Sequence, residues 1–501
     1  MTGRPLRNTV RWSAIWMLFN TGAAKILGVS AQITLGWLLS HDDFALYAIA
    51  VSVTSFTALL SDNGLRNFLI QKQGDYDRFK GPVFWLSLTL NVAAGAVILC
   101  IAPALAHAYK EPGLQVVLAV IACASVVATP ATVLSAKLRI GLEFRILSLI
   151  QISSSVIRCV GMVGLAWYGL GPLSFVLPVI VSSVCESIAI WWITRLTPWL
   201  DPTGYQQWPY ILGQTKWILL SACATGIFNN GLYFTLGFFV SKSVLGVYYF
   251  AYQFVVQIGL LLSHNLFQVL FPAFSQLTHD PQRSRLALER SLQLATWLAA
   301  PTLAVIAIYD PLEALVWQGK WLESVQPVQI LCVFYPITVV LSVVNASQAA
   351  LGHFQQMAVM MLLLAAATIA GGMVGATLTK NAIGVALGAG SCLFAGSLVY
   401  LRSILETSGI ATSLVLISLS QRWAIALLSA GISVLMDGFL MTFLTPAVRV
   451  LANGLLFVSI FTIASRTIFP RQMLQMAEVM PNRLRTPFVR LMRLSTFECA
   501  P

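Results

Sequence analysis

Residues 35–50, LGWLLSHDDFALYAIA, and residues 236–251, LGFFVSKSVLGVYYFA, decide the architecture. Leu35, Gly36, Ser40, Tyr47 and Ala50 recur as Leu236, Gly237, Ser241, Tyr248 and Ala251, at a single offset of 201 and without a gap. Each copy closes one apolar run, crosses a short polar break and opens the next. A weaker echo at an offset of 210 pairs Phe144 with Phe354 and Leu177 with Leu387. Self-similarity of this kind marks a duplicated unit.

The duplicated unit is made of membrane spans. Of 501 residues, 58% are hydrophobic and 10% charged, and the mean hydropathy is +0.81. That leaves too little charge to coat a soluble core. Apolar stretches of about 20 residues recur between short polar breaks, the length that crosses ~30 Å of hydrocarbon. Six spans are expected before residue 200, near 13–38, 44–65, 82–105, 114–136, 147–168 and 172–194. Eight follow, near 211–236, 244–266, 287–309, 325–350, 354–379, 382–402, 422–442 and 446–468. The expected fold class is all-α: a polytopic membrane protein with fourteen transmembrane helices.

Six helices, an even number, separate the two copies, so both insert with the same orientation. Two six-helix lobes follow, residues 1–200 (helices 1–6) and 201–410 (helices 7–12), related by a parallel pseudo-two-fold repeat and facing one central cavity. Helices 13 and 14, in residues 411–470, fall outside the repeat. Residues 471–501 form a tail in which Arg483, Arg485, Arg490 and Arg493 interleave with Leu484, Phe488, Leu491, Leu494 and Phe497. That basic amphipathic pattern suits the anionic inner leaflet, a disordered tail being the alternative.

Orientation follows from lysine and arginine. With the N-terminus inside, the inner segments hold 23 of them and the opposite face four, Lys110, Lys242, Lys320 and Lys380. This asymmetry obeys the positive-inside rule and places both termini in the cytoplasm. The first apolar run follows Arg4, Arg7 and Arg11, yet it is too long for a signal peptide and contains Lys25, so it is read as a retained helix. Seven of eight cysteines sit in apolar runs, Cys499 lies in the tail, and no C-x-x-C spacing occurs. Packing is their expected role, with no metal site.

Three charges fall deep in spans: Lys25, Arg158 and Glu186. Charges there are costly enough to point to function. Lys25 and Arg158 both lie near mid-depth and are expected to share one layer, while an ion pair between Arg158 and Glu186 is the structural alternative. Thr21, Lys25, Gly28 and Gln32 form one polar stripe that should face protein or water, either as a site or as polar glue between helices. Tyr249, Gln253 and Gln257, with Tyr252 beside them, make a second face, and Asn229, Asn230 and Tyr233 mark the helix before it. Aromatic rings and amides suit sugars, although tyrosines near helix ends also anchor at interfaces. At the inner end of the second span, Asp62-Asn63-Gly64-Leu65-Arg66 reads either as a gate or as a helix cap.

Several chemistries find no support. There is no P-loop, no HExxH, no GxSxG and no outer loop large enough for a glycosyltransferase domain. No span holds the several carboxylates of a proton relay. No catalytic residue, cofactor or nucleic-acid partner is expected.

Three segments carry a family resemblance: Ala136-Lys137-Leu138-Arg139 through Phe144-Arg145-Ile146-Leu147; Asp62-Asn63-Gly64-Leu65 with Leu69-Ile70-Gln71-Lys72; and Leu245-Gly246-Val247-Tyr248 with Ala251-Tyr252. Over roughly residues 10–410 the chain resembles bacterial polysaccharide flippases, the Wzx-type polysaccharide transport branch of the MOP exporter superfamily. The resemblance implies alternating-access export of undecaprenyl diphosphate-linked oligosaccharide across the bacterial inner membrane. Lys25 and Arg158 would then meet the diphosphate, with Gln32, Asn229, Asn230, Tyr249, Tyr252, Gln253 and Gln257 around the substrate and Asp62, Arg66 and Glu186 gating. The implied partners are the lipid-linked glycan, membrane lipids, a polysaccharide polymerase and glycosyltransferases. One departure stands out: family members often carry an acidic residue where this chain has Leu232, which leaves ion coupling open. The alternatives are a drug/cation antiporter of the same architecture, which needs a carboxylate-lined pocket, a membrane-embedded lipid-sugar transferase, and a scaffold that leaves the buried cations unexplained.

Overall fold

The computed structural model describes residues 6–57, 63–141, 143–277, 279–440 and 444–469. Asp62 and the basic tail 471–501 lie outside the described residues. Among the described residues every regular element is a helix: α1 (Leu6–Leu38), α2 (His41–Thr57), α3 (Asn63–Gln71), α4 (Tyr76–Ala108), α5 (Pro112–Ile140), α6 (Phe144–Trp167), α7 (Leu173–Thr194), α8 (Trp208–Leu236), α9 (Lys242–Gln276), α10 (Pro281–Ala299), α11 (Val305–Val316), α12 (Val325–Phe334), α13 (Ile337–Ala350), α14 (Phe354–Thr379), α15 (Ala382–Thr407), α16 (Thr412–Leu440) and α17 (Pro446–Ile468). Twelve segments among them are long and apolar enough to cross a membrane, and α1 and α2 stand where the first two spans are expected. The protein is a multi-pass, all-helical membrane protein.

Local chemistry sets the boundaries. Pro112, Pro281 and Pro446 occupy first turns, where a missing N–H costs nothing. The Asp280 side chain caps α10 by accepting the Arg283 N–H at 3.1 Å. Inside a helix, proline removes a backbone donor and crowds the preceding turn. Accordingly, the ninth expected span is α10 and α11 joined by a 3₁₀ turn through Pro301, and the tenth is α12 and α13 meeting at Pro336.

The chain divides into two compact units, Met1–Phe250 with Phe354–Ala389, and Ala251–His353 with Gly390–Pro501. In the first, α5 packs on α4 and α7, α6 on α7 and α1, and α8 on α2 and α14. The two repeat copies meet there. Gly246 of α9 lies so close to the start of α2 that a Cβ would overlap the His41 carbonyl. Phe44 packs edge-on to Phe250 at 5.5 Å, and Tyr47 stacks on Phe175 at 4.2 Å. Nearby, Glu111 pairs with Lys242, and the Tyr109 hydroxyl donates to the Phe234 carbonyl at 2.5 Å. At the other helix ends, Lys80 lies 3.7 Å from Asp201, whose carbonyl accepts the Trp85 indole N–H. Elsewhere in this unit α14 and α15 touch backbone to backbone: a Cβ on Gly384 would run into the Gly375 carbonyl, and one on Gly388 into that of Gly371. Small residues permit such approach in membrane helices.

In the second unit α16 and α17 pack on each other and on α11. Arg422 is 1% exposed; it donates to Thr296 and to the Gln293 carbonyl, and lies 4.9 Å over the Trp297 ring.

Candidate functional site

The register between α1 and α6 fixes the charged layer. Ser148 donates to the Trp16 carbonyl at 3.2 Å, Asn20 donates to Gln151 at 2.8 Å, and the Cys159 thiol points to the Leu27 carbonyl at 3.6 Å. The partners are 132, 131 and 132 residues apart, so the two helices run parallel and without slippage. Lys25 is therefore level with Ile157, one residue from Arg158, a difference in depth of about 1.5 Å. The register thus puts the two side chains at nearly the same height along the helix pair. Lys25 is half-buried, Arg158 is exposed, and the Arg158 charge reaches the Tyr47 hydroxyl.

Thr21, Lys25, Gly28 and Gln32 sit one residue on from the seam that α1 makes with α6, a turn of roughly 100° about the helix axis. A Cβ on Gly28 would meet nothing within 4 Å, so open space borders the stripe. The Gln32 Nε2 is buried without a hydrogen-bond acceptor. A buried amide donor left unmatched is costly.

The structural alternative for Arg158 does not hold here. Among the described residues no ion pair joins it to Glu186, whose Oε2 instead accepts the Ser154 hydroxyl at 3.1 Å. Glu186 lies within electrostatic reach of Arg139, as does Arg66. Of the proposed gate residues, Arg66 on α3 and Glu186 on α7 are placed, and Asp62 is not described.

The aromatic and amide faces divide by role. Tyr249 is 5% exposed and packs on Tyr233 at 5.0 Å and Tyr47 at 6.0 Å. Tyr252 is 8% exposed and meets the Tyr335 ring edge-on at 5.6 Å. Gln253, Gln257, Asn229 and Asn230 are half-buried, and Asn230 donates to the Gly226 carbonyl of its own helix at 3.4 Å. The two tyrosines are packed into the helix bundle, so the amides are the more accessible groups. Leu232 is 6% exposed, and a Cβ on Gly372 of α14 would meet its methyl at 2.6 Å. An acidic residue there would be buried against apolar carbon.

Sequence reasoning passed over a charged cluster in the second unit. Arg449, 4% exposed, makes two hydrogen bonds to the Asp437 carboxylate, the longer at 2.9 Å, and one to Asp310 at 3.3 Å. Asn453 donates to the Ala307 carbonyl at 3.3 Å. Asp437 lies three residues before the end of α16 and Arg449 three after the start of α17, the one signal that could have exposed the pair.

Three comparisons bear on this geometry. A family model described as polysaccharide biosynthesis protein matches residues 34–326. The chain is similar to the lipopolysaccharide biosynthesis protein WzxC of Escherichia coli (strain K12), 22% identical over 326 residues, 64% of this chain and 65% of that protein. It is similar as well to the succinoglycan biosynthesis transport protein ExoT of Rhizobium meliloti (strain 1021), 23% identical over 331 residues, 64% of each chain. The match thus spans a little under two thirds of these relatives. Among solved structures, the lipid II flippase MurJ in an inward closed conformation superposes with a TM-score of 0.71 at 14% identity, over 91% of this chain and 99% of that one. An inward-facing multidrug resistance MATE family transporter of the MOP superfamily gives 0.62 at 15% identity, over 77% and 94%. At such identities the likeness is one of fold.

Proposed function

This chain belongs to the polysaccharide biosynthesis protein family, and from that premise we propose that it flips undecaprenyl diphosphate-linked oligosaccharide from the cytoplasmic to the outer leaflet of a bacterial inner membrane. The observation that carries the reading is the layer formed by Lys25 and Arg158 on two parallel helices held in register. A diphosphate is the group such a layer suits. Guanidinium and ammonium donors form short charge-assisted bonds to phosphate oxygens, and two cations at one depth offset the charge of two phosphates. Charged side chains within spans are costly and mark substrate pathways. The half-buried amides Gln32, Asn229 and Asn230 meet glycan hydroxyls, Tyr249 supports them by packing, and Arg66 and Glu186 belong to the inner gate. Both termini are cytoplasmic, and glycosyltransferases and a polysaccharide polymerase act before and after the flip.

Lys25→Ala and Arg158→Ala are expected to reduce surface glycan at least tenfold in cells while inserted protein stays at wild-type level. Quantifying cell-surface polysaccharide against membrane-inserted protein tests this; normal export by well-inserted Lys25→Ala removes the layer from the mechanism. A drug/cation antiporter is less well supported, since Glu186 is engaged by Ser154 and stands close to arginine rather than lining a carboxylate-rich pocket.

A further inference from the structure

Tyr47 is held by its ring and left unused at its hydroxyl. The ring stacks on Phe175 of α7 at 4.2 Å and meets Tyr249 of α9 edge-on at 6.0 Å. The side chain is half-buried, and its hydroxyl makes no hydrogen bond among the described residues. Other tyrosines of the chain spend theirs: Tyr109 donates to the Phe234 carbonyl, and Tyr400 donates to Asn345 at 3.2 Å. A tyrosine hydroxyl inside a bundle ordinarily finds a partner. The repeat sharpens the contrast, because the copy of Tyr47 is Tyr248, which is 1% exposed and enclosed by protein.

Helix geometry places Tyr47 next to the charged layer, one step toward the α1–α2 break. Lys25 lies thirteen residues before the end of α1 and Tyr47 six after the start of α2, depths of about 20 and 9 Å from those ends. Across α6 and α7, a Cβ on Gly161 would meet Pro178 at 2.9 Å. Arg158 is three residues to one side of that contact, and Phe175, beneath the Tyr47 ring, is three to the other, which separates them by about 9 Å. Both routes put Tyr47 roughly 10 Å beyond the layer. The Arg158 charge reaches the Tyr47 hydroxyl across that interval. All of these residues belong to the first compact unit.

We propose that Tyr47 reads the sugar attached to the diphosphate: with the diphosphate on Lys25 and Arg158, its hydroxyl hydrogen-bonds a hydroxyl of the phosphate-proximal hexose. This rests on the diphosphate reading of the layer given above. The interval between arginine and tyrosine is taken up by the second phosphate and one sugar ring. Stacking on Phe175 fixes the tyrosine, so little side-chain freedom is lost when the bond forms. A phenolic hydroxyl both donates and accepts, which matches a sugar hydroxyl in either role. Phe175 covers one face of the ring, so recognition falls to the hydroxyl rather than to stacking of the sugar.

The test removes one oxygen. Full-length wild-type and Tyr47→Phe proteins are compared in phosphatidylcholine nanodiscs by native mass spectrometry, with undecaprenyl diphosphate, undecaprenyl diphosphate-glucose and undecaprenyl diphosphate-galactose as probes. Tyr47→Phe is expected to bind the bare diphosphate as the wild type does, and at least one sugar-bearing lipid about three- to tenfold more weakly, the worth of one hydrogen bond. Tyr248→Phe should leave the ratio of sugar-bearing to bare lipid unchanged; a drop in that ratio would make the Tyr47 effect one of packing and overturn the assignment. Bare-diphosphate binding reports that Tyr47→Phe is folded, so unchanged affinity for both sugar lipids also overturns it. An equal loss for all three probes does the same, because Tyr47 then acts on the phosphates or on the fold. The layer is tested separately: Lys25→Ala combined with Arg158→Ala should lose bare-diphosphate binding, and wild-type binding by that variant removes the transport reading whatever Tyr47 does.

Discussion

Arg449 shows what a single residue can hold. It is 4% exposed, and its guanidinium is shared between Asp437 on α16 and Asp310 on α11, so three helices depend on one side chain. Removing one partner of a buried ion pair strands the other charge, at about 3–5 kcal/mol. Arg449→Ala is therefore expected to lower the thermal midpoint of the purified protein by several degrees, while Arg449→Met combined with Asp437→Leu recovers most of the loss. A wild-type midpoint for Arg449→Ala would show that the pair contributes nothing. Lys25 and Arg158 were legible in the sequence because a cation in the middle of an apolar run has no disguise. Arg449 and Asp437 were not, because each lies near a helix end, where charges are ordinary, and their meeting with Asp310 depends on how α11, α16 and α17 pack.

At the scale of elements, the seam between α14 and α15 is set by what is missing. Gly371, Gly375, Gly384 and Gly388 bring the two backbones together with no room for a side chain. Overpacking a close contact costs roughly 1–3 kcal/mol. Gly384→Val is expected to reduce the monodisperse fraction in fluorescence-detected size-exclusion chromatography, whereas Gly431→Ala, where a Cβ meets nothing within 4 Å, leaves it unchanged. Equal profiles for the two variants would count against the seam. Span boundaries were readable wherever polar breaks are sharp, and the stretch expected at 354–379 coincides with α14. The interruptions at Pro301 and Pro336 were not, because a hydropathy window averages over proline and membrane helices tolerate it when neighbours satisfy the freed carbonyls.

For the molecule as a whole, side-chain pairing and charge counting agree on how the breaks alternate. Glu111 pairs with Lys242, which puts the α4–α5 and α8–α9 breaks on one side. Lys80 lies near Asp201, which puts the residues before α4 and after α7 on the other. A fluorescent-protein fusion after residue 469 is expected to be fluorescent, and an alkaline phosphatase fusion at Gly319 active. A dark C-terminal fusion beside an inactive phosphatase at Gly319 would invert the topology. The repeat and the charge asymmetry made this much available from sequence, because both are properties of long averages. The pairing of α1 with α6 was not available, since helix neighbours follow from packing.

That pairing has a further consequence. Two rods locked side by side make length, as well as identity, part of the site. Deleting one residue of α1 between Asn20 and Lys25 keeps every functional group yet swings the ammonium about 100° around the rod and draws it back by about 1.5 Å. Such an indel should be as damaging as losing the lysine outright, and removing a compensating residue from the facing stretch of α6 would lower Arg158 by the same step without undoing the swing.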